Sequence, residues 1–536
     1  MDTKALRQKI LDLAIRGKLV PQDPNDEPAE VLLERIREQK QQMFKEGKLK
    51  KKDIKNDTII FKGEDNLHYE KFQDGTVKCI EDEIPFEVPE GWAWCKLNDI
   101  YNFIDYRGAT PTKITNGIPL VTAKNVKSGY IDYTIDDYIS EEEFKERQQR
   151  GISKKGDILF TTEAPLGNAA LADMEKFSAG QRLITFQQYG SKDELINYVM
   201  LMFILSDFFQ QQLYVNKTGS TVAGIKAAIL KTLWIPVPPY NEQLRISNTL
   251  KSAINLIDSI SKNKEILSTS ISNTKSKILD LAIRGKIVPQ DPNDEPASVL
   301  LERIRAEKEE LIKQGKIKRD KKESVIFKGD DNSYYEKING EVFCINEEIP
   351  YDIPDTWTWM RLENCCIKEI RRGKSPKYTV NSTVLVFAQK CNTKYNGIDV
   401  SLAQYLDETT LKHYPSDEYM QDGDVVINST GTGTLGRVGI YRYTDNTTCL
   451  SIVPDSHVTV IRSFSCISSH YLYAFMKAHQ SELEKKGEGS TNQKELKPLT
   501  LKEMLIAVPP LSEQEHIENA ICTAFSRFAV IEESLN

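Results

Sequence analysis

Two stretches of the chain, Lys9 to Arg37 and Lys277 to Arg305, carry the same residues at a constant offset of 268, differing only at Leu19/Ile287 and Glu30/Ser298. A chain built this way must fold as two equivalent halves around a shared frame. The match resumes at Phe61-Lys62-Gly63 against Phe327-Lys328-Gly329. It continues at Glu83-Ile84-Pro85-Phe86-Glu87-Val88-Pro89 against Glu348-Ile349-Pro350-Tyr351-Asp352-Ile353-Pro354, and Trp92 and Trp94 pair with Trp357 and Trp359. Similarity then fades, and returns at Trp234-Ile235-Pro236-Val237-Pro238-Pro239 against Leu505-Ile506-Ala507-Val508-Pro509-Pro510, followed by Glu242-Gln243 and Glu513-Gln514. The halves share a frame and differ inside it.

Gln243 to Arg284 contains no Gly or Pro and places Ile246, Leu250, Ile254, Ile257, Leu267, Ile271, Ile278 and Leu281 mostly three or four residues apart. This spacing predicts one long amphipathic helix of roughly 60 Å, with Gly285 as its C-cap and a narrow apolar stripe that calls for a partner helix. Leu511 to Asn536 aligns with Tyr240 to Glu265, and Met1 to Arg16 with Thr269 to Arg284, leaving only Ile266 to Ser268 without a counterpart. The termini are therefore expected to rebuild the central helix, lie together and pack antiparallel to it as a closed pseudo-twofold ring. A second helix is predicted over Ala29 to Glu46 and Ala297 to Gln314, stopping at Gly47 and Gly315. Strand-like runs at Asp157-Ile158-Leu159-Phe160 and Asp424-Val425-Val426-Ile427, with helical patterns near Tyr198 to Leu213 and His470 to Glu484, make each insert a mixed α/β domain.

The expected fold class is thus α+β, with two mixed α/β domains separated by two long antiparallel helices forming a coiled-coil spacer. The expected boundaries are 1–56 (N-terminal helical spacer), 57–239 (first mixed α/β domain), 240–322 (central helical spacer), 323–510 (second mixed α/β domain) and 511–536 (C-terminal helical spacer). The 536 residues, 40% of them hydrophobic, suffice for several cores. The nine cysteines form no CxxC pair, Cys365 and Cys366 are adjacent, and the six histidines build no ligand cluster with them, so a reducing cytoplasm is expected and neither a zinc site nor a disulfide framework is. The longest apolar run, Tyr198 to Phe209, is too short to span a bilayer, and the N-terminus opens on a charged helical pattern with Lys4, Arg7 and Lys9. A net charge of −7 excludes a uniformly basic nucleic-acid coat, so local patches decide. Two such patches, Lys45 to Lys55 and Lys313 to Lys322, hold six basic residues each and read equally well as solvated helix ends.

Several motifs are weaker than they look. Gly431-Thr432-Gly433-Thr434-Leu435-Gly436 has dinucleotide-fingerprint spacing, but a strand pattern, Arg437-Val438-Gly439-Ile440-Tyr441, follows where a helix is required. Val237-Pro238-Pro239-Tyr240 lacks the Asn or Asp that would accept a target amine, and Val508-Pro509-Pro510-Leu511 also lacks the Tyr; both read as strand stops before a helix. Asp137, Glu143 and Lys145 form a faint nuclease-like set, against which Ser140 reads as the cap of a charged helix. No Walker loop or HExxH motif is present.

What remains is DNA-contact chemistry in the inserts. Tyr106-Arg107-Gly108-Ala109-Thr110-Pro111 corresponds to Arg371-Arg372-Gly373-Lys374-Ser375-Pro376, both glycine-kinked basic loops with a hydroxyl. Arg and Lys suit guanine edges and phosphates while Asn and Gln pair with adenine, which adds Lys124, Asn125, Gln181, Arg182, Lys390 and Asn392. Taken singly, each reads first as an ordinary surface residue. Gly219-Ser220-Thr221 and Gly489-Ser490-Thr491, with Lys217, Lys226, Asn492 and Lys494 nearby, read either as phosphate-holding turns or as plain polar turns.

The whole chain resembles the specificity subunits (HsdS) of type I restriction-modification systems. The resemblance is carried by Ile84-Pro85-Phe86-Glu87-Val88-Pro89-Glu90-Gly91-Trp92, the Arg107-Gly108-Ala109-Thr110-Pro111 loop, Lys155-Gly156-Asp157-Ile158-Leu159, and Pro238-Pro239 leading to Glu242-Gln243-Leu244-Arg245-Ile246, all set within the duplication. It implies a non-catalytic cytoplasmic subunit that binds double-stranded DNA at a split, asymmetric target, one half-site per recognition domain. It also implies docking of two modification (HsdM) subunits that methylate adenine with S-adenosylmethionine, and of restriction (HsdR) subunits that use ATP and magnesium; this chain would bind no cofactor, no metal and no membrane. A subunit of a methyltransferase-only or related restriction system is the alternative. A self-contained methyltransferase lacks its motifs here, and a helical scaffold without DNA recognition would have no reason to diversify only its inserts.

Overall fold

The computed structural model describes residues 2–535 except 55–56, 108–109, 135, 190–193, 220–222, 318, 320–323, 395–396 and 489–493. They form two compact units, Met1–Lys264 and Glu265–Asn536, each built from the same succession of elements.

In the first unit the N-terminal helix Thr3–Ile15 starts at Asp2, whose carboxylate accepts hydrogen bonds from the N–H groups of Lys4 and Ala5 at 2.9 and 3.1 Å. It buries Leu11, Ala14 and Ile15 and stops at Gly17, where φ is +65°. A Cβ there would lie 2.3 Å from Pro89 Cγ, so both the left-handed turn and the close approach demand glycine. Gly285 repeats the arrangement with φ +65° and a Cβ position 2.5 Å from Pro354 Cγ, and acts as the expected C-cap of the central helix. The second helix of each half spans Ala29–Lys45 and Ala297–Lys313, ending just before Gly47 and Gly315.

The central helix runs from Tyr240 to Ile283, 44 residues, through the boundary between the units. It starts ahead of Gln243 because Pro238-Pro239 end the preceding strand and Pro239 O already accepts from Gln243 N at 2.9 Å. Of the predicted stripe, Ile246, Leu250, Ile254, Ile257 and Ile271 are buried, whereas Leu267 is 41% exposed. In the first unit, Arg7 pairs with Asp258 and Gln22 with Glu242, so the N-terminal helix runs antiparallel to the first part of the central helix. In the second unit Lys275 pairs with Glu532 at 2.7 Å and Gln290 with Glu513, giving the C-terminal helix Leu511–Leu535 the same antiparallel course along the second part.

Each insert is built on a four-stranded antiparallel sheet. The order is Tyr101–Asp105, Leu183–Gln188, Ile158–Thr161, Ala169–Leu171 in the first unit, and Arg371–Arg372, Val458–Ile461, Val425–Asn428, Val438–Ile440 in the second. Ile158–Thr161, Val425–Asn428 and Val458–Ile461 are buried along their whole length, which explains their continuous rather than alternating apolar runs. Two-stranded ribbons tie insert to frame: Trp234–Val237 pairs with Ala93–Lys96, and Leu505–Val508 with Thr358–Arg361. The helical pattern near Tyr198 to Leu213 is two helices, Asn197–Ile204 and Asp207–Val215, because Ser206 Oγ donates to Phe203 O at 2.6 Å and caps the second. His470 to Glu484 divides likewise into Ser469–Ala478 and Gln480–Lys485. All nine cysteines are free thiols, and no helix among the described residues is long and apolar enough to cross a membrane.

Candidate nucleic-acid interface

In the first unit the connections at one end of the sheet converge. Arg107, Gln181, Arg182 and Lys226 line one cleft of about 470 Å3 with Thr162, Glu163, Thr218 and Gly219. Arg107 forks onto Asp105, with Nη2 2.7 Å and Nε 2.9 Å from the two carboxylate oxygens, and Nη1 donates to Ile225 O at 3.3 Å. That carboxylate pushes the guanidinium above its ordinary pKa, so it stays charged. Arg182, held at φ +71°, places Nε 3.0 Å from Glu163. Thr110 Oγ1 donates to Gln181 Oε1 at 2.9 Å, joining the basic loop to the turn before the Leu183–Gln188 strand. Lys226 is exposed, and Lys217, also exposed but not among the lining residues, has Nζ 4.4 Å from the Tyr214 ring centroid.

The second unit builds the corresponding place from different side chains. Arg371 and Arg372 form the edge strand, with Arg371 Nη2 2.6 Å from Glu418 and Arg372 Nη2 2.7 Å from Glu495. Lys374 adds a third cation, 3.4 Å from Glu418 and 5.7 Å from the Tyr414 ring centroid. Gly373 lets this strand press against the turn beneath it, since a Cβ would fall 2.3 Å from Pro454 O. Ser375 is exposed.

Backbone bonds fix the correspondence. Thr162 N donates to Arg182 O at 3.0 Å and Ser429 N to His457 O at 2.8 Å, while Ile225 N donates to Thr162 O at 3.0 Å and Leu496 N to Ser429 O at 2.8 Å. Arg182 is thus matched by His457, whose Nδ1 lies 2.6 Å from Thr430 Oγ1, and Lys226 is matched by Lys497. Sequence reading missed His457, Lys497 and the carboxylates Asp105, Glu163, Glu418 and Glu495. Only Asp105, two residues before Arg107, left a local signal.

Two candidates fall away. Asn125 is 2% exposed: its Oδ1 accepts from Thr122 N at 2.9 Å and its Nδ2 donates to Asp132 O at 2.9 Å, so its amide closes a loop. Asn392 is 1% exposed and donates to Asn428 Oδ1 and Arg437 O at 3.2 and 3.1 Å. Neither amide can reach a base. Lys124, Lys390 and Lys494 are exposed but outside the residues that line the first cleft or bind the second-unit carboxylates. Ser220, Thr221, Ser490, Thr491 and Asn492 lie outside the described residues, as do Lys55, Lys318, Lys321 and Lys322 of the basic patches.

The remaining motifs resolve into structure. Gly436 is followed by the strand Val438–Ile440, and its Cβ position is 2.6 Å from Glu484 N, so the glycine spacing serves a tight turn against a helix. Ser140 caps the helix Glu141–Arg147 by accepting from Glu143 N at 3.2 Å, and Asp137 pairs with Lys113 at 2.6 Å. Frame carboxylates are used structurally: Glu242 accepts from Trp92 Nε1 at 2.9 Å and Glu513 from Trp357 Nε1 at 2.8 Å, and burial raises the pKa of both.

A duplicated frame presenting two unlike basic mouths defines a DNA-specificity protein. The profile of the type I restriction modification DNA specificity domain matches residues 89–268 and 354–535, and the chain belongs to that family. It is 28% identical to the type I restriction enzyme EcoEI specificity subunit of Escherichia coli, over 97% of this chain and 88% of that one. It is 30% identical to the EcoAI specificity subunit of the same species, over 67% of this chain and 62% of that one. A chain from a structural study of assembly and conformational transition in a type I R-M system superposes with a TM-score of 0.53 at 17% identity, covering 84% of this chain and 94% of that one, which is a likeness of fold. The chain is a recognition subunit and not a catalytic one.

Proposed function

We propose that the two inserts read the two halves of a split, asymmetric DNA target and so direct partner subunits to it. The observation that carries this is the convergence of Arg107, Gln181, Arg182 and Lys226 on one cleft, with Arg371, Arg372 and Lys374 gathered at the corresponding place in the second unit. Arginine forks suit guanine O6 and N7, and lysines suit phosphates. In this reading the chain works in the cytoplasm with two modification subunits and with restriction subunits. Those partners hold S-adenosylmethionine for adenine methylation, and ATP and magnesium for cleavage. Segments 57–239 and 323–510 act as recognition domains, and 1–56, 240–322 and 511–536 as helical spacers. Near-identity of the frame matches two copies of one modification subunit, while divergence of the inserts matches two unlike half-sites.

The test replaces Tyr101 to Trp234 with the corresponding segment of another family member and maps methylated adenines across the host genome. One half of the target should change and the other stay. A target altered in both halves would overturn independent reading.

A further inference from the structure

The cations of the second recognition mouth sit on carboxylates, and one of these is buried. Glu418 is 2% exposed, with Arg371 Nη2 at 2.6 Å, Lys374 Nζ at 3.4 Å and Lys368 Nζ at 3.3 Å. Asp417 adds a second negative charge 3.7 Å from Arg371, and Glu495 sits 2.7 Å from Arg372 at the more exposed rim. A carboxylate withdrawn from water is tolerated only when paired, and here three cations compensate it. Yet the pairing does not exhaust the site: Arg371 Nε is buried without a hydrogen-bond partner among the described residues, its carboxylate neighbour Glu369 lying 3.7 Å away.

We propose that Glu418 and Glu495 are specificity-determining residues, which restrain Arg371, Arg372 and Lys374 from sequence-independent phosphate binding while leaving them able to meet a base edge. This inference rests on the DNA-reading role proposed above. The reason is electrostatic. A phosphate is an anion and is repelled by the carboxylate behind the guanidinium, whereas a guanine edge is neutral and presents only acceptor dipoles. Each guanidinium carries five N–H donors, so a carboxylate can hold one part of the fork while others face a base. The carboxylate therefore weakens backbone binding more than base binding and widens the gap between right and wrong sequences. Burial makes Glu418 a fixed restraint, since it cannot swing into water when DNA arrives.

The experiment uses the chain assembled with its modification subunits. It measures binding to two labelled duplexes, one carrying the target defined by methylation mapping and one lacking it, over a range of salt. Glu418→Gln and Glu495→Gln should each bind the target-free duplex about twofold to fivefold more tightly, the worth of one released ion pair. The logarithmic salt slope should steepen by about 0.9 for each cation passed to a phosphate. The ratio of target to target-free affinity should fall, through the second half-site alone. Should Glu418→Gln fail to fold, Glu495→Gln, which changes a half-exposed residue, carries the test. Arg372→Ala separates the two readings. If it weakens target binding while both glutamine variants leave target-free affinity unchanged or lower, the restraint is wrong and the interface stands; if it too changes nothing, both fall.

Discussion

The two halves agree in the frame and differ in the inserts, and the bonds show it. In the frame, buried interactions recur with their partner types intact: Trp92 to Glu242 and Trp357 to Glu513, Ile196 N to Gln243 at 2.8 Å and Ser468 N to Gln514 at 2.7 Å. In the inserts the strand order, the backbone bonds and the buried aspartate of one turn repeat. The side chains on equivalent backbone differ, Arg182 on Glu163 in one and His457 on Thr430 in the other. Shape is held by the main chain and the frame, so side chains at the mouths are free to differ.

The buried acid under each sheet offers the sharpest way to break this comparison. Asp157 and Asp424 occupy equivalent turns, accepting from Lys154 N and Gln421 N at 2.8 Å each. Asp424 is fully buried and gripped by Arg462 at 2.7 Å through both carboxylate oxygens, whereas among the described residues Asp157 has only Gln187 as a side-chain partner, at 2.9 Å. Arg462→Met should therefore destabilise the second recognition domain by about 3 to 5 kcal/mol, because it leaves a buried charge without its counterion. Thermal or denaturant unfolding measures this, and a loss below about 1 kcal/mol would mean the pair contributes as little as a surface one.

Next in size are Arg107→Ala and Arg372→Ala, each of which should cost about 1 to 3 kcal/mol of discrimination at its own half-site if it reads a base. Binding to duplexes altered in one half at a time checks this. A loss uniform across sequences, with a shallower salt slope, would assign the side chain to phosphate instead.

The smallest effect concerns pH. Burial raises the Asp157 carboxyl to about 6. Its folded-state pKa lies above the unfolded value, so the charged form destabilises the fold above about pH 6, and the penalty is relieved as pH falls from there toward the ordinary range. Asp157→Asn should raise the melting temperature slightly at pH 7.5, and that advantage should shrink by pH 5. An advantage that stayed constant over this range would show that Asp157 does not titrate there.

What the sequence revealed follows the same division. Local signals specified the frame: Gly285 marks the C-cap of the central helix, Pro238-Pro239 stop a strand, and the three- and four-residue spacing from Ile246 to Ile257 sets a helix face. Composition could not tell which way a polar residue in a divergent loop turns. Asn125 and Asn392 therefore looked like Lys124 and Lys390, although their amides close loops inside the domain. Glu418 and His457 were illegible for another reason, since each meets its partner only through sheet register and turns that bring distant segments together. Arg107 and Arg372 were legible as members of two basic, glycine-containing loops, although the strand register sets Arg372 level with Asp105 rather than with Arg107.

The fully buried strands Ile158–Thr161 and Val425–Asn428 have a consequence for how new targets arise. The side chains of these two strands fill the core, whereas Arg107, Arg182 and His457 lie in turns beside them, so a substitution at one of those three leaves the packing of these strands untouched. Such a protein can drift through recognition variants while its folding stability stays nearly level. A strand residue, by contrast, is frozen by neighbours on both faces. Heritable variation in what is recognised should therefore collect in the turns and on the Arg371–Arg372 edge strand, and variation in the fully buried strands should be confined to exchanges of similar volume.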